Sequence, residues 1–325
     1  MIIRSLKIKG LYDQYDINWD LNKDVNILAG QNGSFKSTVL NALRLFLEGK
    51  VVSKYYGMKS MEVEFDDGSV CYFIDYYDSI ANLKKRAETD SKAKEIVSQI
   101  GDAQAASNYI HGTINYCLRN GERLDISEAL KEVNFQFIST FDVPIKDEDE
   151  AGKTQLDIKL DKLQSEYAYY LSDLSKKLTS LISQNKETIA TEDINRIYRK
   201  RDMFLNAIDE AFESTGKRTD HNESKISILL NDGSPIDIKK LSSGEKQLLI
   251  ILTAVLCERD QPFILLLDEP EISLHLEWQK TLIENIRNLN PNCQIILTTH
   301  SPGIIFNGFE EYVTETNDIT KDEKA

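Results

Sequence analysis

The sequence lacks the features of secreted, membrane-spanning and zinc-stabilised proteins. Its 325 residues include four cysteines that lie far apart and form no CxxC pair, so we expect neither a disulfide framework nor a structural zinc site. The N-terminus alternates apolar and charged residues, as a strand does, and has no apolar signal-peptide core. The longest apolar run, Leu248 to Cys257, is too short to cross a bilayer. We therefore expect a protein of the reducing cytosol without membrane contact. The cysteines are Cys71, Cys117, Cys257 and Cys293.

Basic residues are also in short supply. The chain has 39 Lys and Arg against 53 Asp and Glu, which gives a net charge of −14. Such a surface repels phosphate backbones except where basic residues cluster. Two clusters leave open a choice between local nucleic-acid contact and a solvated charged face. They are Lys84-Lys85-Arg86 and the set Arg196, Arg199, Lys200 and Arg201.

The hydrophobic fraction of 41% is enough for a large core. The length predicts one large domain with an insertion, or two domains. We divide the chain into an N-terminal lobe (1–78), a helical subdomain with one strand (79–150), a helical hairpin (151–216) and a C-terminal lobe (217–325).

Hydrophobic periodicity predicts an α/β protein. A strand at Val25–Ala29 precedes a helix at Lys36–Leu47, and Met61–Phe65 and Val70–Phe73 flank an Asp-Gly turn as a β-hairpin. Residues 79–133 are rich in Ala, Lys, Glu and Ser, which favours helices; a strand at 134–138 and a charged linker at 146–152 follow. From residue 217 onward strands and helices alternate, which indicates a parallel sheet. The polar tail from Asn317 is expected to be frayed.

Two apolar stripes joined by a polar break predict the helical hairpin. The second helix begins near Thr191, which suits an N-cap. A short antiparallel coiled coil and two ordinary helices packed on a core explain these stripes equally well. The first stripe is Leu160, Leu163, Tyr167, Tyr170, Leu174, Leu178 and Leu181, and the second is Ile194, Ile197, Phe204, Ile208 and Ala211.

A glycine-rich segment between the first buried strand and its helix has the context of a phosphate-binding loop. Backbone N–H groups and the helix N-terminus would surround the phosphates, with Lys36 at the β and γ oxygens and the Ser37 hydroxyl on Mg²⁺. Phe35 replaces the second glycine of the G-x-x-x-x-G-K-[ST] pattern, and a Cβ in the left-handed conformation costs about 1–2 kcal/mol. A chance glycine-rich turn is the alternative. The segment is Gly30, Gln31, Asn32, Gly33, Ser34, Phe35, Lys36, Ser37 and Thr38.

Three further motifs follow in the C-terminal lobe. Phe263–Glu269 is a buried strand that ends in two carboxylates, Asp268 to hold Mg²⁺ and Glu269 to position or deprotonate the attacking water. Leu241–Gln247 precedes an apolar helix and offers a second anion site or a plain N-cap. His300 follows the last core strand.

In this order the motifs resemble those of ABC-type ATPase heads of the SMC/RecF/OLD group, found in DNA repair and antiphage defence, including PARIS- and Septu-like systems. The resemblance implies a P-loop NTPase fold, with a mixed-sheet lobe and a helical lobe. It covers about residues 1–78 and 224–306. Gly30–Thr38 matches Walker A, Leu241–Gln247 the LSGGQ-like signature, Phe263–Glu269 Walker B, Thr299-His300-Ser301 the switch histidine and Glu271–His275 the D-loop.

The family resemblance implies ATP and Mg²⁺ as cofactors and a homo-oligomer in which two heads enclose two ATP molecules. His300 would contact the γ-phosphate and the attacking water, and Gln136 is a candidate for the Q-loop. Catalysis is thus assigned to Lys36, Glu269 and His300, and Mg²⁺ to Ser37 and Asp268. The signature residues that would bind nucleotide are Ser242, Ser243, Gly244 and Glu245.

The expected function is an ATP-hydrolysing subunit that regulates a separate effector. About 20 residues follow the switch region, so we expect no Toprim nuclease domain on this chain and a nuclease or toxin on another one. One alternative is a nucleotide-gated scaffold with little hydrolysis, which Phe35 motivates. The other is the nucleotide-binding subunit of a membrane transporter, which fits the hairpin and the D-loop less well.

Overall fold

A computed structural model describes residues 1–50, 56–79, 88–89, 94, 97, 109–139, 154–184 and 190–322. The basic cluster Lys84-Lys85-Arg86 and the charged linker at 146–152 lie outside these ranges. Contacts group the chain into two compact units. The first contains residues 1–23, 30–135 and 314–325, and the second contains residues 24–29 and 136–313.

An antiparallel sheet of seven strands organises the first unit. Its order is β15-β2-β1-β4-β5-β6-β7. The predicted hairpin is confirmed, since β4 and β5 pair from Ser60 opposite Ile74 to Glu64 opposite Val70. The strands are β1 (Ile3–Leu11), β2 (Tyr15–Asp20), β4 (Ser60–Phe65), β5 (Val70–Ser79), β6 (Tyr109–Arg119), β7 (Glu122–Leu124) and β15 (Thr320–Asp322).

Among the described residues of the same unit, three helices have both ends defined. Helix α1 (Lys36–Leu47) has the predicted bounds, and its apolar face, with Val39, Leu43 and Phe46, is buried. The other two are α2 (Ile126–Lys131) and α8 (Thr316–Ile319).

Two predictions for this unit were wrong. Residues 109–124, expected to be helical, form β6 and β7, because the β-branched and aromatic side chains Ile114 and Tyr116 pack on the sheet beside Ile74. The tail is not frayed as far as residue 322, since Ile319 is buried and Thr320 pairs with Ile17 of β2.

Parallel strands form the centre of the second unit, as the alternation of elements predicted. Strand β13 (Cys293–Thr298) pairs in parallel with β3 (Val25–Ala29) on one side and with β12 (Phe263–Asp268) on the other. Strand β8 (Phe135–Ser139) continues this sheet beyond β12. Every residue of β3, β12 and β13 is buried, which is typical of a parallel sheet covered on both faces.

Helices cover this sheet, and three short strands form a separate small sheet in the second unit. The helices are α3 (Gln155–Gln184), α4 (Thr191–Phe212), α5 (Ser243–Cys257), α6 (Leu276–Leu289) and α7 (Pro302–Ile305). Strands β9 (Lys217–Thr219), β10 (Ile228–Leu230) and β11 (Pro235–Ile236) form a small antiparallel sheet. The chain passes to the first unit at β14 (Val313–Glu315), and no described helix is long and apolar enough to span a membrane.

The predicted helical hairpin, α3 and α4, packs mainly as ordinary core helices. Tyr167, Leu174 and Phe204 are buried in the same core cluster as the apolar residues of α5. The last turns of α3 and the first turns of α4 extend beyond the core, where Ile182 is 52% and Ile194 36% exposed. Thr191 is the first helical residue and Ala190 the N-cap, without a side-chain cap, so the predicted N-cap was one residue too late.

Candidate functional site

In the phosphate loop, Phe35 adopts the left-handed backbone conformation expected of the glycine that it replaces. Phe35 has φ 69° and ψ 9°, in the left-handed region, and is the residue before α1. Its ring packs against those of Tyr12 and Tyr15, with centroid distances of 5.6 and 4.8 Å. Aromatic packing thus offsets the steric cost of a Cβ at a glycine position.

Lys36 lies across its own loop rather than in solvent. The side chain is 4% exposed, and Nζ donates hydrogen bonds to the carbonyl oxygens of Gly30 and Gln31 at 3.0 and 3.1 Å. Gly30 has φ 149°, and a Cβ there would overlap the Thr316 hydroxyl. The loop is therefore closed around the lysine, and only glycine fits at its start.

Thr298, the last residue of β13, forms hydrogen bonds with both Walker B carboxylate residues at the end of β12. Asp268 and Thr298 are paired in register, and the Thr298 hydroxyl donates to Asp268 Oδ1 at 2.7 Å. The Glu269 N–H donates to the Thr298 hydroxyl and carbonyl oxygens, each at 3.1 Å. Glu269 has φ 47° and ψ 55°, a left-handed conformation that is strained for a residue with a Cβ.

The same sheet edge brings His300 to Glu269. His300 Nε2 lies 3.4 Å from Glu269 Oε1, and both side chains are partly exposed, at 33% and 24%. The His300 N–H donates to Glu271 Oε1 at 2.7 Å. A base candidate, an imidazole and a second carboxylate therefore meet at the carboxyl ends of parallel strands, where α/β proteins bind ligands.

The signature forms a complete N-terminal cap of α5. The Ser242 hydroxyl accepts from the Glu245 N–H, and Glu245 accepts in return from the Ser242 N–H. Glu245 also accepts from Thr215 and Lys217 at 2.9 and 2.8 Å. Burial by itself would raise the pKa of the Glu245 carboxyl, but the hydrogen bonds from Lys217, Ser242 and Thr215 outweigh it and lower that pKa.

These contacts separate the predicted signature residues into two groups. Ser242 and Ser243 are exposed at the helix N-terminus, whereas Glu245 is 2% exposed and its carboxylate is engaged in the cap. A Cβ on Gly244 would overlap the carbonyl oxygen of Ser273, so glycine lets the D-loop backbone approach α5. The two serines are the signature side chains that a ligand can reach.

A buried ion pair joins the signature helix to the inserted hairpin. Lys246 Nζ lies 2.8 Å from Asp157 Oδ1, and both side chains are 9% exposed. Asp157 also accepts from the Thr154 N–H. Burial would raise the pKa of Asp157, but its bonds to Lys246 and Thr154 lower it.

Two other candidates take part in structural contacts. The Gln136 amide donates to Glu258 at 3.1 Å, so the Q-loop assignment stays a prediction. Lys200 donates to the carbonyl oxygens of Asn288 and Leu289, and Arg201 to that of His221. Two of the four residues in this basic cluster thus hold the fold together.

Sequence reasoning named most of these residues but missed three of their roles. Thr298 directly precedes the switch motif and Glu271 is part of the D-loop, yet neither had an assigned function. Lys246 and Asp157 are 89 positions apart, so no local pattern predicts their contact. For Glu271 the available signal was the position two residues after Glu269 at a strand end.

The residues of the phosphate loop fit a nucleotide. The Ser34 hydroxyl is buried, and no residue in the described ranges forms a hydrogen bond with it, so a phosphate oxygen would satisfy it. Gln31, Asn32 and Gly33 are exposed, and Ser37 and Thr38 are partly buried at the start of α1. Ser37 and Asp268 offer hydroxyl and carboxylate oxygens, which are the donors Mg²⁺ prefers.

These features together define a P-loop ATPase head of the ABC type. They are a strand followed by a phosphate loop and helix, a parallel strand ending in Asp-Glu, a capped signature helix and a switch histidine. The chain belongs to the family described as AAA domain, putative AbiEii toxin, Type IV TA system, whose sequence profile matches residues 122–305. Family membership and fold class agree with the resemblance found in the sequence.

Two similar proteins are a retron ATPase and a Septu protein. The chain is 29% identical over 180 residues to the Retron Vc95 probable ATPase of Vibrio cholerae serotype O1 biovar El Tor, covering 49% of this chain and 34% of that protein. It is 24% identical over 323 residues to the Septu protein PtuA of Bacillus thuringiensis, covering 94% and 73%. The chain thus spans about a third of the retron relative.

Similar solved structures are SMC heads. The SMC head domain from Thermotoga maritima has 14% identity and a TM-score of 0.45, with 94% of this chain and 92% of that chain covered. An SmcHead bound to the C-winged helix domain of ScpA has 15% identity and a TM-score of 0.49, with the same coverage.

Proposed function

We propose that this protein binds ATP with Mg²⁺ and hydrolyses it. The observation that carries the proposal is the juxtaposition of Glu269 and His300, 3.4 Å apart at the end of a parallel sheet whose β3 leads directly into the phosphate loop. A carboxylate and an imidazole held in this way can orient and deprotonate a water molecule.

Each residue has a distinct part in the proposed reaction. Lys36 would exchange its loop carbonyl partners for β- and γ-phosphate oxygens, and the loop N–H groups would bind the same phosphates. Ser37 and Asp268 would hold Mg²⁺, which neutralises charge on the phosphates when bound. Glu269 would take the proton of the attacking water, and His300 would hold that water against the γ-phosphate.

Head-to-head assembly is part of the proposal. Ser242 and Ser243 are exposed at the N-terminus of α5, where a second copy's γ-phosphate would meet N–H and hydroxyl donors. Two apolar side chains of the D-loop region, Ile272 and Leu276, are each 56% exposed, which suits a surface that another head covers.

The proposed setting is antiphage defence in the cytosol, with a nuclease or toxin on a separate chain as the regulated partner. Likeness to PtuA of the Septu system and to a retron ATPase supports this setting. Nucleic-acid contact stays a secondary proposal. Within the described basic cluster it falls to Arg196 and Arg199, which are exposed.

The second candidate is a nucleotide-gated scaffold with little hydrolysis. Phe35 favours it, because a ring packed against two tyrosines makes the phosphate loop less able to adjust to a γ-phosphate. The Glu269–His300 pair favours hydrolysis, since a scaffold has no need of a base beside an imidazole.

Phosphate release separates the two candidates. We expect the purified chain to hydrolyse ATP in the presence of Mg²⁺, and Lys36→Ala to lower turnover by about 100-fold or more, because a charge that stabilises the transferring phosphate is lost. Lys9→Ala, which removes an exposed lysine of β1, is the matched control and should leave turnover unchanged. ATP binding without turnover by the wild type would favour the scaffold.

A further inference from the structure

Glu271 is the carboxylate at the site to which the proposed chemistry assigns no part. It lies in a 3₁₀ turn, Pro270–Ser273, two residues after Glu269. Oε1 accepts the His300 N–H at 2.7 Å. Oε2 is buried, and no donor from the described residues reaches it. A buried carboxylate oxygen without a donor costs stability, which makes Glu271 a candidate for a role other than folding.

The hydrogen bond between Glu271 and the His300 N–H joins the two loops that carry the catalytic candidates. Glu269 leads into the turn that contains Glu271, and His300 follows β13 on the neighbouring strand. The Glu271 carboxylate fixes the main chain at His300, while the His300 ring reaches back to Glu269 Oε1 at 3.4 Å. The two glutamates therefore flank the histidine, with Glu271 bonded to its backbone N–H and Glu269 beside its ring.

A separate hydrogen-bonded link maintains the fold of these loops. Gln279 of α6 donates to the carbonyl oxygens of Glu271 and Leu274 at 3.3 and 2.8 Å, and it accepts from the Ser301 hydroxyl. Because Gln279 binds the Glu271 backbone rather than its side chain, the turn keeps these bonds when the carboxylate is replaced. Loss of the carboxylate should therefore act on His300 more than on folding.

We propose that Glu271 is a positioning residue that sets the orientation of His300 toward Glu269 and the attacking water. The expected effect of Glu271 on turnover rests on the proposed function. The expected effect of Glu271 on the His300 ring is independent of hydrolysis.

The chain has four histidines, so the ring signals of the full, nucleotide-free chain labelled with ¹³C-histidine can be assigned with His300→Ala. We expect Glu271→Ala and Glu271→Asp to shift the His300 Cε1–H signal, because neither side chain can reach the His300 N–H. Glu271→Gln should leave that signal in place, since its amide oxygen still accepts the bond. Glu277→Ala removes an exposed glutamate of α6 and is the matched control.

In the same variants, kcat for phosphate release should fall about 10- to 100-fold in Glu271→Ala with KM within about threefold, as for a displaced catalytic group. Glu271→Gln should restore kcat. An unchanged His300 signal in both Glu271→Ala and Glu271→Asp would overturn the proposal, as would an equal shift in Glu271→Gln. A wild type without turnover would count against the proposed function alone, and the ring signal would still decide the role of Glu271.

Discussion

Two residues with a Cβ adopt the left-handed backbone conformation at the two ends of the proposed chemistry. Phe35 does so before α1 and Glu269 after β12. Each is held by neighbours, Phe35 by two tyrosine rings and Glu269 by two hydrogen bonds to Thr298. Strain of this kind persists only where the surroundings over-determine it, which is typical of functional sites.

The packing of Phe35 leads to a comparison of two variants. Phe35→Ala loses the ring contacts and keeps a Cβ at φ 69°, whereas Phe35→Gly loses the ring but relieves the backbone. We expect Phe35→Ala to be less stable than Phe35→Gly by about 1 kcal/mol. Urea unfolding of both variants measures the difference. Equal stabilities would mean that the loop relaxes away from the left-handed conformation once the ring is gone.

The sequence predicted the departure at Phe35 but not what compensates for it. A missing glycine is visible in the motif, and its steric cost follows from the backbone alone. Tyr12 lies between β1 and β2, and Tyr15 is the first residue of β2. Both are 20 or more positions before Phe35, so their contact with its ring depends on the geometry of the sheet. The role of Glu271 was hidden for the same reason, because its partner, His300, is 29 positions distant.

At the scale of elements, the signature helix α5 is anchored at its first turn on two sides. Glu245 binds the segment after α4 through Thr215 and Lys217, and Lys246 binds α3 through Asp157. The inserted hairpin is thus fastened directly to the helix that presents Ser242 and Ser243.

The Asp157–Lys246 pair makes stability depend on pH. The folded-state pKa of Asp157 lies below its unfolded value of 3.8, so its contribution is present above about pH 4 and is lost as the pH falls through the folded-state value. We expect Asp157→Asn to cost about 3 kcal/mol at pH 7, because Lys246 stays buried without its partner. The difference from wild type should shrink below pH 4.

Thermal or urea unfolding between pH 3 and pH 7 measures this dependence. Asp161→Asn, one turn further along α3, removes an exposed pair with Lys239 and should cost less than about 1 kcal/mol. A similar loss in both variants, or a difference that does not vary with pH, would contradict the role of the buried pair.

Element prediction succeeded where a local pattern decided the structure. The hairpin of β4 and β5 and the bounds of α1 follow from an Asp-Gly turn and from helical spacing. It failed at Tyr109–Arg119, where the overall composition of residues 79–133 outweighed a local strand pattern, and at the tail, where one buried apolar residue, Ile319, anchors a polar segment. The sequence left open whether the hairpin helices form a coiled coil or pack on a core, because an amphipathic stripe does not identify the surface that it contacts.

At the scale of the whole molecule, the net charge of −14 and the engaged lysine and arginine of the basic cluster favour protein partners over extended contact with nucleic acid. The C-terminal ends of β3, β12 and β13 lie at one sheet edge, and the proposed catalytic groups follow β12 and β13 directly. In the second unit, the proposed catalytic groups therefore share one edge of the parallel sheet.

The central claim is that this edge hydrolyses ATP through Glu269, and phosphate release by Glu269→Gln tests it most directly. We predict a loss of at least about 100-fold relative to wild type, with ATP affinity retained, because Glu269 acts on the attacking water. Glu277→Gln, at an exposed position of α6, should behave as wild type. Turnover in Glu269→Gln equal to that of the wild type would contradict the account.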